Sequence, residues 1–233
     1  MKKLALLLMM LLLPAAHLGA VPLVFTLDST DAQTTVFRAP LGGLGLTQVS
    51  SVFIADSNSG VGGSPGIFSG FDLDFVFIDL DGVYATAGAG DRFAGTSFLF
   101  TTGTIRPSGG NTNFEPTVTH PGPTFGSSAL NTIDAGLATL GTRDGSFPGV
   151  FNADNSSGWL TLGDGGTLGV GFGAGVTLTA SSVLFVGEVG TGAGELVNAS
   201  VTASDQPLPE PASFALLGLG LAGLALSKRR KIS

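Results

Sequence analysis

The residues of this chain with the types and spacing for chemistry are first of all its aspartates. Asp72/Asp74, Asp79/Asp81 and Asp154/Asp164 fall in pairs, and calcium takes six to eight oxygen ligands, many of them carboxylates and loop carbonyls. On one continuous strand Asp72 and Asp74 point away from Asp79 and Asp81, so the two pairs share an ion only across a bulge or turn. Asp79-Leu80-Asp81-Gly82 also reads as a plain turn. The run Asn152-x-Asp154-x-Ser156 lacks the glycine at its sixth place and the glutamate at its twelfth that an EF-hand loop needs. No cofactor is expected; calcium is the one ion with candidate ligands, Asp72, Asp74, Asp79 and Asp81 foremost.

Nucleophilic chemistry has less to work with. Gly62-Gly63-Ser64-Pro65-Gly66 matches G-x-S-x-G. A nucleophile elbow needs a strand, a strained turn and a helix, whereas Pro65 follows this serine within a glycine-rich loop. His120, the only histidine between the two ends, is the one available base. With no cysteine in the chain, a disulfide frame and a thiolate metal site are excluded. For glycan contact, only Trp159 and Tyr84 combine ring stacking with a hydrogen-bonding edge. Trp159 follows a turn glycine and is expected in the core. These readings make the body non-enzymatic, with no catalytic residue named.

The elements that must position these groups are strands. Leu168, Val170 and Phe172 alternate with Thr167, Gly169 and Gly171, and Val201 alternates with Ser200 and Thr202. Phe71, Leu73, Phe75 and Phe77 share one face of another segment, with Asp72 and Asp74 opposite. This period of two marks half-buried antiparallel strands. Phe98–Phe100 and Val183–Val186 are continuous apolar runs that suit central strands. Turn formers such as Ser57-Asn58-Ser59-Gly60 and Gly163–Gly166 separate the runs. The pattern predicts an all-β body, a β-sandwich of jelly-roll-like form. One short helix is expected where Leu130, Ile133, Leu137 and Leu140 share a helical face, with Gly141 as its stop.

Both ends differ from the body. Lys2 and Lys3 precede the apolar run Leu4–Leu13, Pro14 ends it, and Ala20 is a small residue before Val21. That is a secretory signal over residues 1–20, cut between Ala20 and Val21 and handed to the secretion machinery. The body, residues 21–206, holds Arg38, Arg92, Arg106 and Arg143, no lysine and sixteen carboxylates. Such a surface is a poor partner for nucleic acid, which needs clustered Lys and Arg.

At the other end, Pro209-Glu210-Pro211 precedes a fifteen-residue apolar run, 212–226, closed by Lys228, Arg229, Arg230 and Lys231. As a helix this run spans about 22 Å at 1.5 Å per residue, short of a hydrocarbon core of roughly 30 Å. Lysines snorkelling from the basic end make up part of the difference. The basic cluster orients it as a single transmembrane helix with the body outside. Gly218, Gly220 and Gly223 spell G-x-G-x-x-G, but no strand precedes them, so they are no dinucleotide fingerprint.

Triplet, short apolar segment, basic end and terminal position together resemble the PEP-CTERM sorting signal. The resemblance covers residues 207–233. It implies an exosortase-type processing protease as partner, acting near Pro209, Glu210 and Pro211, with Lys228–Lys231 as the stop. It also implies a Gram-negative host with exopolysaccharide and a biofilm matrix. A second likeness, over Gly158–Asp205, is to β-sandwich segments of other secreted bacterial proteins with this tail. The function expected is that of an exported surface or matrix protein, anchored in the inner membrane as a precursor. A calcium-assisted glycan-binding module and a secreted hydrolase are the alternatives.

Overall fold

The computed structural model describes residues 20–30, 34–58, 66–84, 90–105, 122–145, 158–190 and 200–209. Among them thirteen strands form: β1 (Val21–Pro22), β2 (Thr26–Thr30), β3 (Thr34–Pro40), β4 (Gln48–Ala55), β5 (Asp72–Asp79), β6 (Arg92–Ala94), β7 (Ser97–Thr101), β8 (Ser127–Ala129), β9 (Thr132–Ile133), β10 (Leu160–Thr161), β11 (Thr167–Thr177), β12 (Val183–Val189) and β13 (Ser200–Ser204). The front sheet runs β1-β13-β4-β11-β7 and the back sheet β10-β5-β12-β3-β2, with β6 also on β5. Every pairing is antiparallel. The expected all-β, sandwich-like body is therefore present.

The main core lies between the sheets. Val52, Ile54, Leu168, Val170 and Val201 come from the front, and Phe37, Val76, Ile78, Leu184 and Val186 from the back. Period two explains the front sheet well, because each of these residues has a small or polar neighbour on the outer side. There β4 presents Ser51, Phe53 and Ala55, β7 Ser97, Leu99 and Thr101, β11 Thr167, Gly169 and Gly171, and β13 Ser200, Thr202 and Ser204, all in register.

Three sequence expectations change. β5 is buried along its whole length rather than half-buried. A bulge at Asp74 shifts its register between Leu73, opposite Glu188, and Phe75, opposite Gly187. Phe71 and Leu73 therefore join the main core, while Phe75 and Phe77 form a second cluster with Val36, Val183 and Phe185 on the other face. Phe98–Phe100 belongs to β7, an edge strand with Phe98 and Leu99 partly exposed, whereas Val183–Val186 is central as expected.

The expected helix at Leu130–Leu140 is a hairpin. β8 and β9 pair across a turn in which Asn131 takes φ 59°, and Leu130 is exposed. Asn is one of the few residues that enter that region cheaply. Its Oδ1 accepts from the Thr102 amide at 2.8 Å, and its own amide donates to Thr102 Oγ1 at 3.0 Å. Helical spacing survives for one turn only, where Ala138 N donates to Asp134 O at 2.8 Å. Gly136, held by the Asp134 side chain at 2.9 Å, does not extend it.

Candidate functional site

The two ends of the body meet on the front sheet. Ala20 leads directly into β1, and Val21 lies opposite Ala203 of β13. The junction expected for signal cleavage, Ala20–Val21, and the start of the tail thus sit on neighbouring strands, at the same end of the sheet. After β13 the chain stays on the outer face. Ser51 Oγ donates to the Gln206 carbonyl at 2.7 Å, and the Gln206 amide donates to Ser204 Oγ at 3.1 Å.

Leu208 then packs onto bare backbone. A Cβ on Gly169 would stand 2.8 Å from Leu208 Cδ2 and 3.0 Å from Phe53, and one on Gly171 would stand 3.3 Å from Leu208. Two glycines spaced by two on β11 leave a trough, and the side chain just before the Pro-Glu-Pro triplet fills it. Pro209 is the next residue and is exposed. Glu210, Pro211, the segment 212–226 and Lys228–Lys231 lie outside the described residues, as do residues 1–19 of the expected signal. No helix among the described residues is long and apolar enough to cross a membrane.

The four aspartates that could hold calcium do not come together. Asp72 Oδ1 accepts from Thr161 Oγ1 at 2.6 Å, tying β5 to β10. Asp74 accepts from Thr34 Oγ1 at 2.8 Å and from the Gly145 amide at 2.8 Å, tying the bulge to β3 and to the loop at 144–145. Asp79 accepts from the Gly82 amide at 2.8 Å and faces Arg92 at 3.6 Å, while Asp81 accepts from the Val83 amide. The bulge does turn Asp72 and Asp79 to the same face of β5, but roughly 20 Å apart at strand rise. Among the described residues no three acidic or histidine side chains are placed to hold a metal. Burial first, and for Asp79 also the neighbouring Asp81, pushes the carboxyls of Asp74 and Asp79 above their ordinary value. Asp164 is buried and bridges to Thr104, and Asp154, Ser64 and His120 lie outside the described residues.

Trp159 is fully buried against Phe68 and Phe125, as expected of a core residue. Tyr84 belongs to an arrangement not legible in the sequence. It stacks on Phe75 and Phe77, with Arg92 over Phe77 at 4.1 Å and Arg143 over Tyr84 at 5.4 Å. Arg143 donates to the Tyr84 hydroxyl at 3.2 Å, and Arg38 lies 5.7 Å from the Phe185 ring centre. Arginine stems thus roof the outer aromatic cluster of the back sheet. On the front side, a cavity of about 470 Å³ opens between β7 and the segment 131–140.

Residues 207–231 match the family model of the PEP-CTERM protein-sorting motif. The chain carries a PEP-CTERM sorting tail. The motif implies an exported protein, anchored in a membrane as a precursor and processed by an exosortase, a membrane protease. The match begins at Pro207, one residue before the docked Leu208, so the sorting tail starts where the folded body stops. No curated protein and no solved structure matches the chain.

Proposed function

We propose that this is a non-enzymatic surface or matrix protein of a Gram-negative bacterium, released or transferred to the cell surface when exosortase removes the tail, and acting within exopolysaccharide or biofilm matrix. The observation that carries this reading is the sorting motif at 207–231, directly behind a body whose chain is tied down through Leu208. The carboxylates best placed for chemistry, Asp72, Asp74 and Asp79, each hold strands or turns together, which favours a structural role for them.

The deciding experiment is the intact mass and C-terminal peptide of the protein recovered from its own cells. A C-terminus near Pro209–Pro211, without Lys228–Lys231, is expected. A chain still ending at Ser233 would make the body a permanently anchored periplasmic protein. The glycan-binding alternative predicts a melting temperature raised by calcium and retention on the host's own exopolysaccharide; neither is expected here.

A further inference from the structure

We infer that the outer face of the front sheet is the surface that the body lays against the lipid bilayer in the anchored precursor. This rests on the reading of 212–226 as a membrane segment. Three observations carry it. First, Leu208 is seated in the Gly169–Gly171 trough at the middle of that face, so the tail leaves from the face itself and not from a mobile end. Second, only four residue steps separate Leu208 from Ala212, where the apolar segment begins. Fully extended they span at most about 14 Å. Headgroups occupy roughly 6 Å of that on each side of the hydrocarbon core, and a segment too short for the core draws its ends inward. The face around Leu208 is held within about 8 Å of the headgroups, too little for the body to turn another side to them.

Third, the face is chemically unlike the rest of the body. Its strand positions carry serine, threonine, glycine and alanine around Phe53 and Leu99, with no charged side chain, although the body holds sixteen carboxylates. Asp56 and Asp205 stand only at its rim. A carboxylate pressed toward anionic headgroups is repelled and loses hydration. A neutral face with two apolar side chains meets that surface without either cost. Val21, at the expected signal junction, pairs with Ala203 on the same sheet, so both ends of the body leave from one end of that sheet.

The chain has no cysteine, so single cysteines report on each face directly. The full-length protein, carrying Ser97→Cys or Ser200→Cys on the front face, or Leu27→Cys or Val83→Cys on the back-sheet side, is reconstituted alone into phospholipid vesicles. All four positions are solvent-exposed, so the fold tolerates the changes. A membrane-impermeant maleimide is expected to react at least fivefold more slowly with Ser97→Cys and Ser200→Cys in vesicles than in detergent. The Leu27→Cys and Val83→Cys rates should stay within twofold. Equal rates at all four positions, in a protein that floats with the vesicles, would overturn the inference and leave the sorting reading intact. Protection seen in native membranes but not in vesicles would assign the face to a protein partner instead and reject the lipid contact. A chain that does not float with vesicles would remove the membrane segment and the inference together.

Discussion

Asp74 sits at the bulge of β5, and its carboxyl is held above the ordinary 3.8 by loss of hydration, with the hydrogen bonds from Thr34 and the 144–145 amides pulling the other way. The native state therefore binds this proton more tightly than the unfolded chain does. Stability from this group is fully present below 3.8 and is lost as pH rises through the raised native value. Asp79, raised for similar reasons, acts with the same sign. Thermal melts between pH 4 and neutrality are thus expected to show a melting temperature that rises on acidification. Asp74→Asn should flatten that slope; an unchanged slope would mean that Asp74 is not a contributor. Trp159 gives a second residue-scale prediction. It is buried against Phe68 and Phe125, so Trp159→Ala should cost about 3 to 5 kcal/mol in urea unfolding. A glycan platform would instead lose binding with little loss of stability.

Among the elements, the β8–β9 hairpin depends on one residue with positive φ. Asn131→Val places a β-branched side chain at φ 59° and removes the Oδ1 acceptor of the Thr102 amide, while the backbone amide of residue 131 can still donate to Thr102 Oγ1. The backbone term costs roughly 1 to 2 kcal/mol and a lost hydrogen bond about 1 more. The midpoint in urea should fall by that amount, with the slope of the transition unchanged; Asn131→Gly should lose less. The hairpin also explains the false helix. Leu130, Ile133, Leu137 and Leu140 have helical spacing, but Leu130 is exposed while Leu140 reaches the core and hands its carbonyl to the Val76 amide at 2.9 Å. Spacing alone does not distinguish one helical turn after a hairpin from a continuous helix. The bulge at Asp74 is a comparable case. Period two assigns Phe71 through Phe77 to one face, and a single inserted residue divides them between two clusters.

At the scale of the molecule, charge is segregated as well as negative. The basic residues outside the body are confined to Lys2, Lys3 and Lys228–Lys231. Removing the tail strips four of the ten cations and leaves an acidic product. The processed protein should accordingly elute later from an anion exchanger than the precursor does. Identical elution of precursor and surface-recovered protein would mean that the basic end is retained. Processing should leave the fold unaffected, because the body's last anchoring contacts, Ser51 to Gln206 and Leu208 on the glycines, lie on its side of the triplet. The melting temperatures of the two forms should agree closely, and a large drop on tail removal would argue against that boundary.

The sequence by itself determined the sorting address at the C-terminus, the sandwich class and much of the front sheet. These are local signals: an apolar run beside charges, a proline-glutamate-proline triplet, and a side-chain period repeated over several residues. The glycines at 169 and 171 were visible as one face of a strand. That Leu208, 37 residues beyond Gly171, fills the space above them is a contact between distant segments, and no local pattern encodes it. The same holds for the arginines gathered over Tyr84 and its phenylalanines, and for the aspartates, whose pairing in the chain suggested one ion. The fold gives each of those carboxylates a different partner across a sheet, a bulge or a turn. Periodicity reports which way a side chain points; only the tertiary structure decides what stands opposite it.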